Sequence, residues 1–438
     1  VKVVIVAPHF SPRVGGVETY TLHIATELIR LGWQVVIVTT GGRADKEPDR
    51  LAGLTIYRLP AALTISNTPV GWRWRRRLRR IYAAERPDVI NAHTPVPYLA
   101  DLAERASGSI PFVLTYHNDL DKDALIYKAV LLLLYRVMIQ RTLRRSDRII
   151  VTSAYYVTAS RYLRVHQSRI RIVPPGVDLS RFNPGVSAGD QLGTRYAGER
   201  VILFVGSLNR SQRYKGLDVL IHAFAQVHAA HQDTRLVIAG DGDGIAHYRR
   251  AAAAAGVGDA VEFTGYLPHE RLAGYYQLAT VLAMPSTSRT EGFGMVFAEA
   301  GAVGTPVIGS AIGGIPYAIR HEETGLLVAP SDIGDLCRAL RRVLDDEALA
   351  QRLGAAGAAR ARAEYDWRPL AQRTSEILAG AAGQRSRAGG RVRRRSRADL
   401  DGAREGDLDR EAALGPGADR QGAQVGADDR PHDRQAES

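Results

Sequence analysis

The stretch Glu291 to Glu299, Glu-Gly-Phe-Gly-Met-Val-Phe-Ala-Glu, combines the residue types needed to hold a polar ligand. Glu291 stands beside Gly292 and Gly294, so a carboxylate and several backbone N–H groups can approach one ligand together. From Met295 to Ala302 the sequence reads as a helix whose N-terminus points back at the glycines, which makes an anion site. Met295 and Val296 open that helix, and Glu299 falls about two turns in, within reach of a second part of an extended ligand. Paired hydroxyls on a carboxylate, next to phosphate on a helix end, describe a nucleotide sugar. The same residues also fit a plain strand-to-helix turn capped by Glu291, with Glu299 on the surface.

Further chemistry sits at the ends of aliphatic runs. His93 follows Val89-Ile90-Asn91-Ala92, and His117 follows Phe112 to Tyr116. Gly15 and Gly16 lie between a first run, Lys2 to Ala7, and a helical pattern from Glu18 to Leu31. Arg210, Arg213 and Lys215 precede a helix starting at Leu217, where positive side chains oppose the helix dipole and suit a bound anion, or are simply solvated. Gly240-Asp241-Gly242-Asp243-Gly244 reads either as a metal–nucleotide ligand pair or as a glycine-rich turn, and the turn accounts for it without a metal.

These groups must be positioned by strands. Short aliphatic runs at 2–7, 34–39, 54–59, 88–92, 111–116, 147–152 and 169–173 alternate with helical patterns, as in a doubly wound parallel sheet. Pro174-Pro175-Gly176 interrupts the pattern as a stiff hinge, after which runs at 201–205, 235–239, 260–263, 281–284, 306–308 and 326–328 repeat it. Ligands of open parallel sheets bind beyond the carboxyl ends of the strands, where both histidines fall. Two such halves imply a cleft between them.

Composition sets the outer limits. A 438-residue chain, 45% hydrophobic and 24% charged, is ordinary globular protein of two domains. A single cysteine, Cys337, excludes an internal disulfide framework and a cysteine zinc site; with no apolar leader at Val1, the cytoplasm is the expected compartment. The longest apolar run, 129–134, is far short of the roughly 18 residues of a spanning helix. The net charge of +12 is inflated by the segment from Gln384 onward, which lacks aromatics and isoleucine, carries Arg385, Arg387, Arg391 and Arg393 to Arg395, and reads as a disordered tail. Trp72-Arg73-Trp74 followed by Arg75 to Arg80 interleaves aromatic and basic residues; it suits an anionic membrane surface or an anionic acceptor, or is a solvated helix face with its tryptophans in the core.

In this order the glycine pair, the strand-end histidines, the basic loop before Lys215-Gly216, Gly240-Asp241-Gly242 and Glu291 to Glu299 resemble the family 4 retaining glycosyltransferases, over roughly residues 1–380. The resemblance implies an α/β fold of the GT-B type, two Rossmann-like doubly wound parallel-sheet domains facing across a cleft. The expected division is 1–175 (acceptor domain), 176–366 (nucleotide-sugar domain), 367–382 (a helix crossing back to the first domain) and 383–438 (the tail). It also implies a hexosyltransferase using a UDP- or GDP-sugar of mannose or glucose type, acting on a lipid-linked, polysaccharide or small-molecule acceptor. On this resemblance His117, Arg210, Lys215 and Glu291 are the catalytic group, and Gly15, Gly16, Gly240, Gly265, Tyr266, Gly292, Phe293, Gly294, Met295, Val296 and Glu299 bind donor. His93, Trp72 and Trp74 are acceptor-side candidates. Ser207 stands where many members have arginine, which moves the expected phosphate charge to Arg210. No metal, cofactor or nucleic acid is expected. Competing readings are a GT-B-like epimerase, a glycogen-type phosphorylase with lysine-bound pyridoxal phosphate, and a basic nucleic-acid-binding protein.

Overall fold

The computed structural model describes residues 1–13, 15–41, 48–65, 68–94, 96, 98–119 and 126–391, with backbone alone for 65, 126–135 and 384–391. The first half holds strands β1 (Lys2–Val6), β2 (Gln34–Thr40), β3 (Asp49–Leu51), β4 (Leu54–Leu59), β5 (Leu63–Ile65), β6 (Thr68–Val70), β7 (Val89–His93), β8 (Phe112–Tyr116), β9 (Arg148–Val151) and β10 (Ile170–Ile172). Its helices are α1 (Gly16–Arg30), α2 (Trp74–Glu85), α3 (Leu99–Ser107), α4 (Ile126–Arg145) and α5 (Ala154–Ala159). The second half holds β11 (Arg200–Val205), β12 (Thr234–Ala239), β13 (Val261–Gly265), β14 (Val281–Met284), β15 (Val307–Ser310) and β16 (Leu326–Val328). Around them lie α6 (Asp190–Arg195), α7 (Leu217–His228), α8 (Ile245–Ala254), α9 (His269–Leu278), α10 (Met295–Val303), α11 (Ile315–Ala318), α12 (Ile333–Asp345) and α13 (Glu347–Glu364), and α14 (Trp367–Arg391) closes the described chain.

Among the described residues the first sheet runs β10-β9-β8-β7-β1-β2-β4-β3, parallel except for the short edge strand β3, and the second runs β13-β12-β11-β14-β15-β16, all parallel. Every strand expected from an aliphatic run is present. The three-residue strands β3, β5 and β6 are additional; β5 and β6 pair only with each other, and such short segments carry no periodic signal.

The order of strands places the site. In the first sheet β1 has β2 on one side and β7 on the other, so the chain reverses direction there; in the second, β11 stands between β12 and β14. Crevices open at such switch points beyond the carboxyl ends of the strands. Gly16 opens the helix that follows β1, His93 ends β7, and Lys215 and Glu291 lie in the segments that follow β11 and β14.

The second half has one core, built on β11, β12 and β14 with α7, α10 and α12. The first sheet has a core on each face: α2, α3 and α4 cover one, and α1 covers the other together with Trp367, Leu370, Ala371 and Leu378 of α14. The last helix therefore lies on the first half, where Trp33 Nε1 also donates to Ser375 Oγ at 2.9 Å. It runs to Arg391 rather than stopping at 382, because alanine and arginine extend a helix already seated by packing. The stretch 384–391, expected to belong to the tail, thus has helical backbone; the rest of the tail, including Arg393 to Arg395, lies outside the described residues.

The two chain crossings between halves touch. Val177 N–H donates to Tyr365 O at 2.7 Å, and a Cβ on Gly176 would sit 2.5 Å from the Trp367 ring. Only glycine lets the hinge pass this close to the indole.

Candidate active site

Lys215 ends the loop after β11, and Glu291 lies in the loop after β14. Lys215 Nζ stands 3.4 Å from Glu291 Oε2, with the two side chains only 17% and 13% exposed. Burial by itself would lower the ammonium pKa, but the Glu291 carboxylate and the nearby Tyr214 hydroxyl carry it above the ordinary value. The lysine is therefore a fixed cation at neutral pH. Gly216 behind it caps α7 in the left-handed region (φ 79°), against Pro285 O.

Gly292, Phe293 and Gly294 turn the chain from Glu291 into α10. Gly294 caps that helix at φ 82° with no side-chain cap, which leaves the N–H groups of the first turn, at Met295 and Val296, for a ligand. Phe293 is buried edge-to-face on Tyr365 (5.4 Å), so only its backbone can face the cleft. Gly313 and Gly314 brace the turn from behind, with Gly314 N–H donating to Glu291 O at 2.9 Å.

The opposite wall comes from the first half. A Cβ on Gly292 would lie 3.0 Å from His117 O and 3.3 Å from Tyr156 Oη, and a Cβ on Gly16 would lie 3.9 Å from Met295 Sδ. The N-termini of α1 and α10 thus meet across the cleft. At α1, Glu18 folds back toward Gly15 and approaches Arg13 (3.6 Å), so the helix end is partly served by its own carboxylate. Burial raises the Glu18 pKa.

His117 and His93 are in contact, Nε2 to Nδ1 at 3.2 Å, with Tyr20 edge-on to both. Burial pushes His117 down to about 3, and burial plus the neighbouring imidazole hold His93 well below its ordinary range. Both are neutral at physiological pH.

Beside Met295 a cavity of about 320 Å³ lies between the halves, lined by Arg13, Glu18 and His23 on one side and by Arg181, His269 and Glu299 on the other. It takes in Glu299 but not Lys215, Glu291 or His117, so it marks the far end of the cleft from the ion pair. Glu299 accepts from Tyr276 Oη at 2.9 Å; burial raises its pKa, against the pull of His269 and of that hydrogen bond. His23 stacks on Trp367 at 5.0 Å, and Arg181 pairs with Glu270 at 3.1 Å.

The structure thus gathers Gly15, Gly16, His117, Lys215, Glu291 to Val296 and Glu299 around one cleft. Other expectations are corrected. His93 is buried behind His117 and cannot touch an acceptor. Trp74 is 1% exposed, donating from Nε1 to Pro60 O, and is core, whereas Trp72 is 80% exposed. Arg210 is exposed, its backbone N–H donating to Asp243 Oδ1 at 2.7 Å. Arg213 is committed to Asp218 and His247. Gly240 packs its Cα against Gly206 and bonds to Gly265 O at 2.9 Å, so these two glycines join adjacent strand ends; Tyr266 is exposed beside them.

Sequence reasoning passed over Tyr20, Asn91, Tyr156 and Tyr276. Tyr156 Oη is buried with no hydrogen-bond partner among the described residues. The spacing Gly16–Tyr20–His23 places residues on one face of α1 and was the available signal.

Comparison with known proteins identifies the family and the fold. The profile described as Glycosyltransferase Family 4 matches residues 14–181, and that described as Glycosyl transferases group 1 matches 193–360. The chain is 30% identical over 393 residues to a GDP-mannose-dependent alpha-(1-6)-phosphatidylinositol monomannoside mannosyltransferase of Mycobacterium tuberculosis, covering 86% of this chain and 98% of that one. It is 33% identical to a D-inositol 3-phosphate glycosyltransferase of Acidothermus cellulolyticus, covering 78% and 83%. Among solved structures, sucrose-phosphate synthase from Thermosynechococcus elongatus superposes with a TM-score of 0.70 at 26% identity, covering 89% of this chain and 99% of that one. Anabaena HepE in complex with UDP superposes equally well, 0.70 over 87% and 100%, at 17% identity, which speaks for the fold alone. With both halves matched and the cleft assembled from their facing loops, the chain belongs to the family 4 (group 1) glycosyltransferases and has the GT-B fold.

Proposed function

We propose that this glycosyltransferase moves a mannose-type hexose from GDP-mannose to a lipid-linked or inositol-containing acceptor, with retention of configuration and without a metal. The observation that carries the reading is the buried Lys215–Glu291 pair facing His117 across the cleft. Glu291 is suited to the sugar hydroxyls, Lys215 and the open N-terminus of α10 to the diphosphate, and Glu299 to the ribose. Departure of the nucleoside diphosphate develops negative charge, which a fixed ammonium and a helix end stabilise. The activities named for the two relatives favour GDP-mannose over the other UDP- and GDP-sugars open to the family, and an inositol-containing acceptor.

Metal independence is supported by the carboxylates themselves. Asp241 Oδ1 accepts from Gly242 N–H and Asp243 Oδ1 from Arg210 N–H, both at 2.7 Å, so both are engaged in bracing loops. The nucleotide sugar would then be the whole requirement, with no cofactor. Purified protein should transfer from GDP-mannose and be stabilised by it against heat more than by UDP-glucose. Transfer should persist in chelator; loss of turnover restored by Mn²⁺ would overturn metal independence, and a preference for UDP-sugars would overturn the donor.

A second reading concerns location. Trp72 stands exposed beside α2, whose Arg75, Arg76, Arg79 and Arg80 face solvent while Trp74, Leu78, Ile81 and Tyr82 are buried. Among the described residues no helix is long and apolar enough to cross a membrane. We propose that this face rests on anionic lipid, placing the cleft near a lipid-linked acceptor. Co-sedimentation with anionic vesicles should weaken when Trp72 and the exposed arginines are neutralised; undiminished binding would exclude this face.

A further inference from the structure

Asn91, His93 and His117 form a chain in which each hydrogen position follows from the one before. Asn91 Nδ2 lies 3.2 Å from Val113 O and 2.8 Å from Thr115 Oγ1. A main-chain carbonyl can only accept, so the amide atom facing Val113 is nitrogen and Oδ1 faces the other way, toward His93 Nε2 at 3.1 Å. Amide oxygen only accepts, so His93 Nε2 carries a proton. His93 is neutral, so its Nδ1 is then a lone pair. That lone pair is approached by His117 Nε2 at 3.2 Å and by Thr21 Oγ1 at 3.1 Å. The single Thr21 hydroxyl hydrogen also has Val17 O at 2.7 Å as a partner. Whichever way it turns, a lone pair on His117 Nε2 would face the lone pair on His93 Nδ1, which is repulsive. His117 Nε2 must therefore be the donor.

We infer that Asn91 and His93 are positioning residues that fix His117 with its proton on Nε2, leaving Nδ1 bare to accept a hydrogen bond from a hydroxyl of the bound sugar or the incoming acceptor. His117 is half-buried, at the carboxyl end of β8, and its carbonyl abuts Gly292 next to Glu291. Its Nδ1 has no partner among the described residues. Tyr20, edge-on at 4.9 Å, and Thr21 hold the two rings from α1, so the chain is braced by the helix that begins at Gly16. The assignment of a substrate hydroxyl as the occupant rests on the glycosyl-transfer reading; the tautomer itself does not. Burial of both rings keeps them neutral, so the acceptor role persists through the acidic range.

The test separates these two parts. Long-range proton–nitrogen correlation spectra of the ¹⁵N-histidine-labelled full chain, without substrate, should show both His93 and His117 neutral with hydrogen on Nε2. Hydrogen on His117 Nδ1, or a charged His93, would overturn the proposal regardless of the substrate. Asn91→Asp replaces the amide with a carboxylate, which favours the imidazolium of His93. Its Nδ1–H would then donate to His117 and move that proton to Nδ1. In that variant kcat should fall about tenfold or more, the equivalent of one hydrogen bond in the transition state, while the donor KM stays within about threefold. A switched tautomer with unchanged kcat would overturn the acceptor role. Should Asn91→Asp not fold, His117→Asn and His117→Leu decide it. Asparagine can keep an oxygen near the Nδ1 position and should retain at least about tenfold more turnover than leucine; equal turnover would overturn the role.

Discussion

Lys215 Nζ and Glu291 Oε2 lie 3.4 Å apart, on loops that leave the two neighbouring strands at which the second sheet reverses direction. Each charge is held mostly out of water, and the carboxylate helps keep the ammonium ionised. The ammonium also lies 5.9 Å from the Tyr214 ring and 3.9 Å from Met284 Sδ, so its position is set by packing as well as by charge. A donor entering the cleft would meet a cation that needs no reorganisation.

Replacing Lys215 with alanine should remove that stabilisation of the leaving diphosphate. Loss of one preorganised donor of this kind costs about a hundredfold to a thousandfold in kcat. The fold should survive, because the pair sits on loops outside the hydrophobic core of the second half. Steady-state kinetics with a circular dichroism melt check both halves; turnover near wild type would remove Lys215 from the reaction.

Glu299 makes a different kind of contribution. It is buried, with one oxygen taken by Tyr276, and it lines the cavity, which does not take in the ion pair. Glu299→Gln keeps an acceptor for Tyr276 but weakens the acceptance of paired hydroxyls. The donor KM should rise about tenfold with kcat little changed, the mark of binding lost equally in ground and transition states. Because burial raises its pKa, donor affinity should also weaken as pH falls through a value above the ordinary carboxylate range, and the Gln variant should lose that dependence.

Much of this could be read from the residues alone, for reasons that differ by element. The strands are aliphatic runs buried on both faces, so β1, β8 and β11 announce themselves. Lys215 and Glu291 are legible because a charge next to glycine at a strand end has few structural uses. Trp72 and Trp74 show the limit: with the same type and neighbours, Trp74 opens α2 on its buried face while Trp72 precedes the helix and is exposed. Where the Arg210 side chain points was not legible, because loop composition gives charge but not direction. Asn91 carried no signal at all, since a polar residue inside a buried strand becomes informative only once Val113, Thr115 and His93 are seen around it.

The two neutral histidines should leave a mark on stability. Their folded pKa values lie below that of an unfolded histidine, about 6.5, so between that value and about 3 the unfolded chain binds more protons. The stability they lend is therefore present above pH 6.5 and declines as pH falls. Between pH 6.5 and 5 His117 should cost about 1 kcal/mol, allowing for its partial solvation, and His93 should act in the same direction. Melting temperatures of wild type and His117→Gln across this range check it: the variant should show the shallower decline, and parallel curves would contradict the assigned neutrality.

The hinge supplies the last expectation. Gly176 passes so close to Trp367 that any Cβ must displace the indole, and the indole holds His23 in a stack and Tyr20 edge-on at 5.5 Å. Tyr20 in turn packs on both histidines, so the crossing is mechanically joined to the chain that sets His117. Gly176→Val should cost about 1–3 kcal/mol as an overpacked contact. It should lower the melting temperature by a few degrees. It should also lower kcat, since the displaced ring lies between the hinge and the site, whereas Gly198→Val, at an open left-handed turn away from the cleft, should destabilise without touching the kinetics of the folded fraction. Comparing active-site-titrated kcat for the two variants separates the effects: equal kcat in both would mean that the hinge contact serves stability alone.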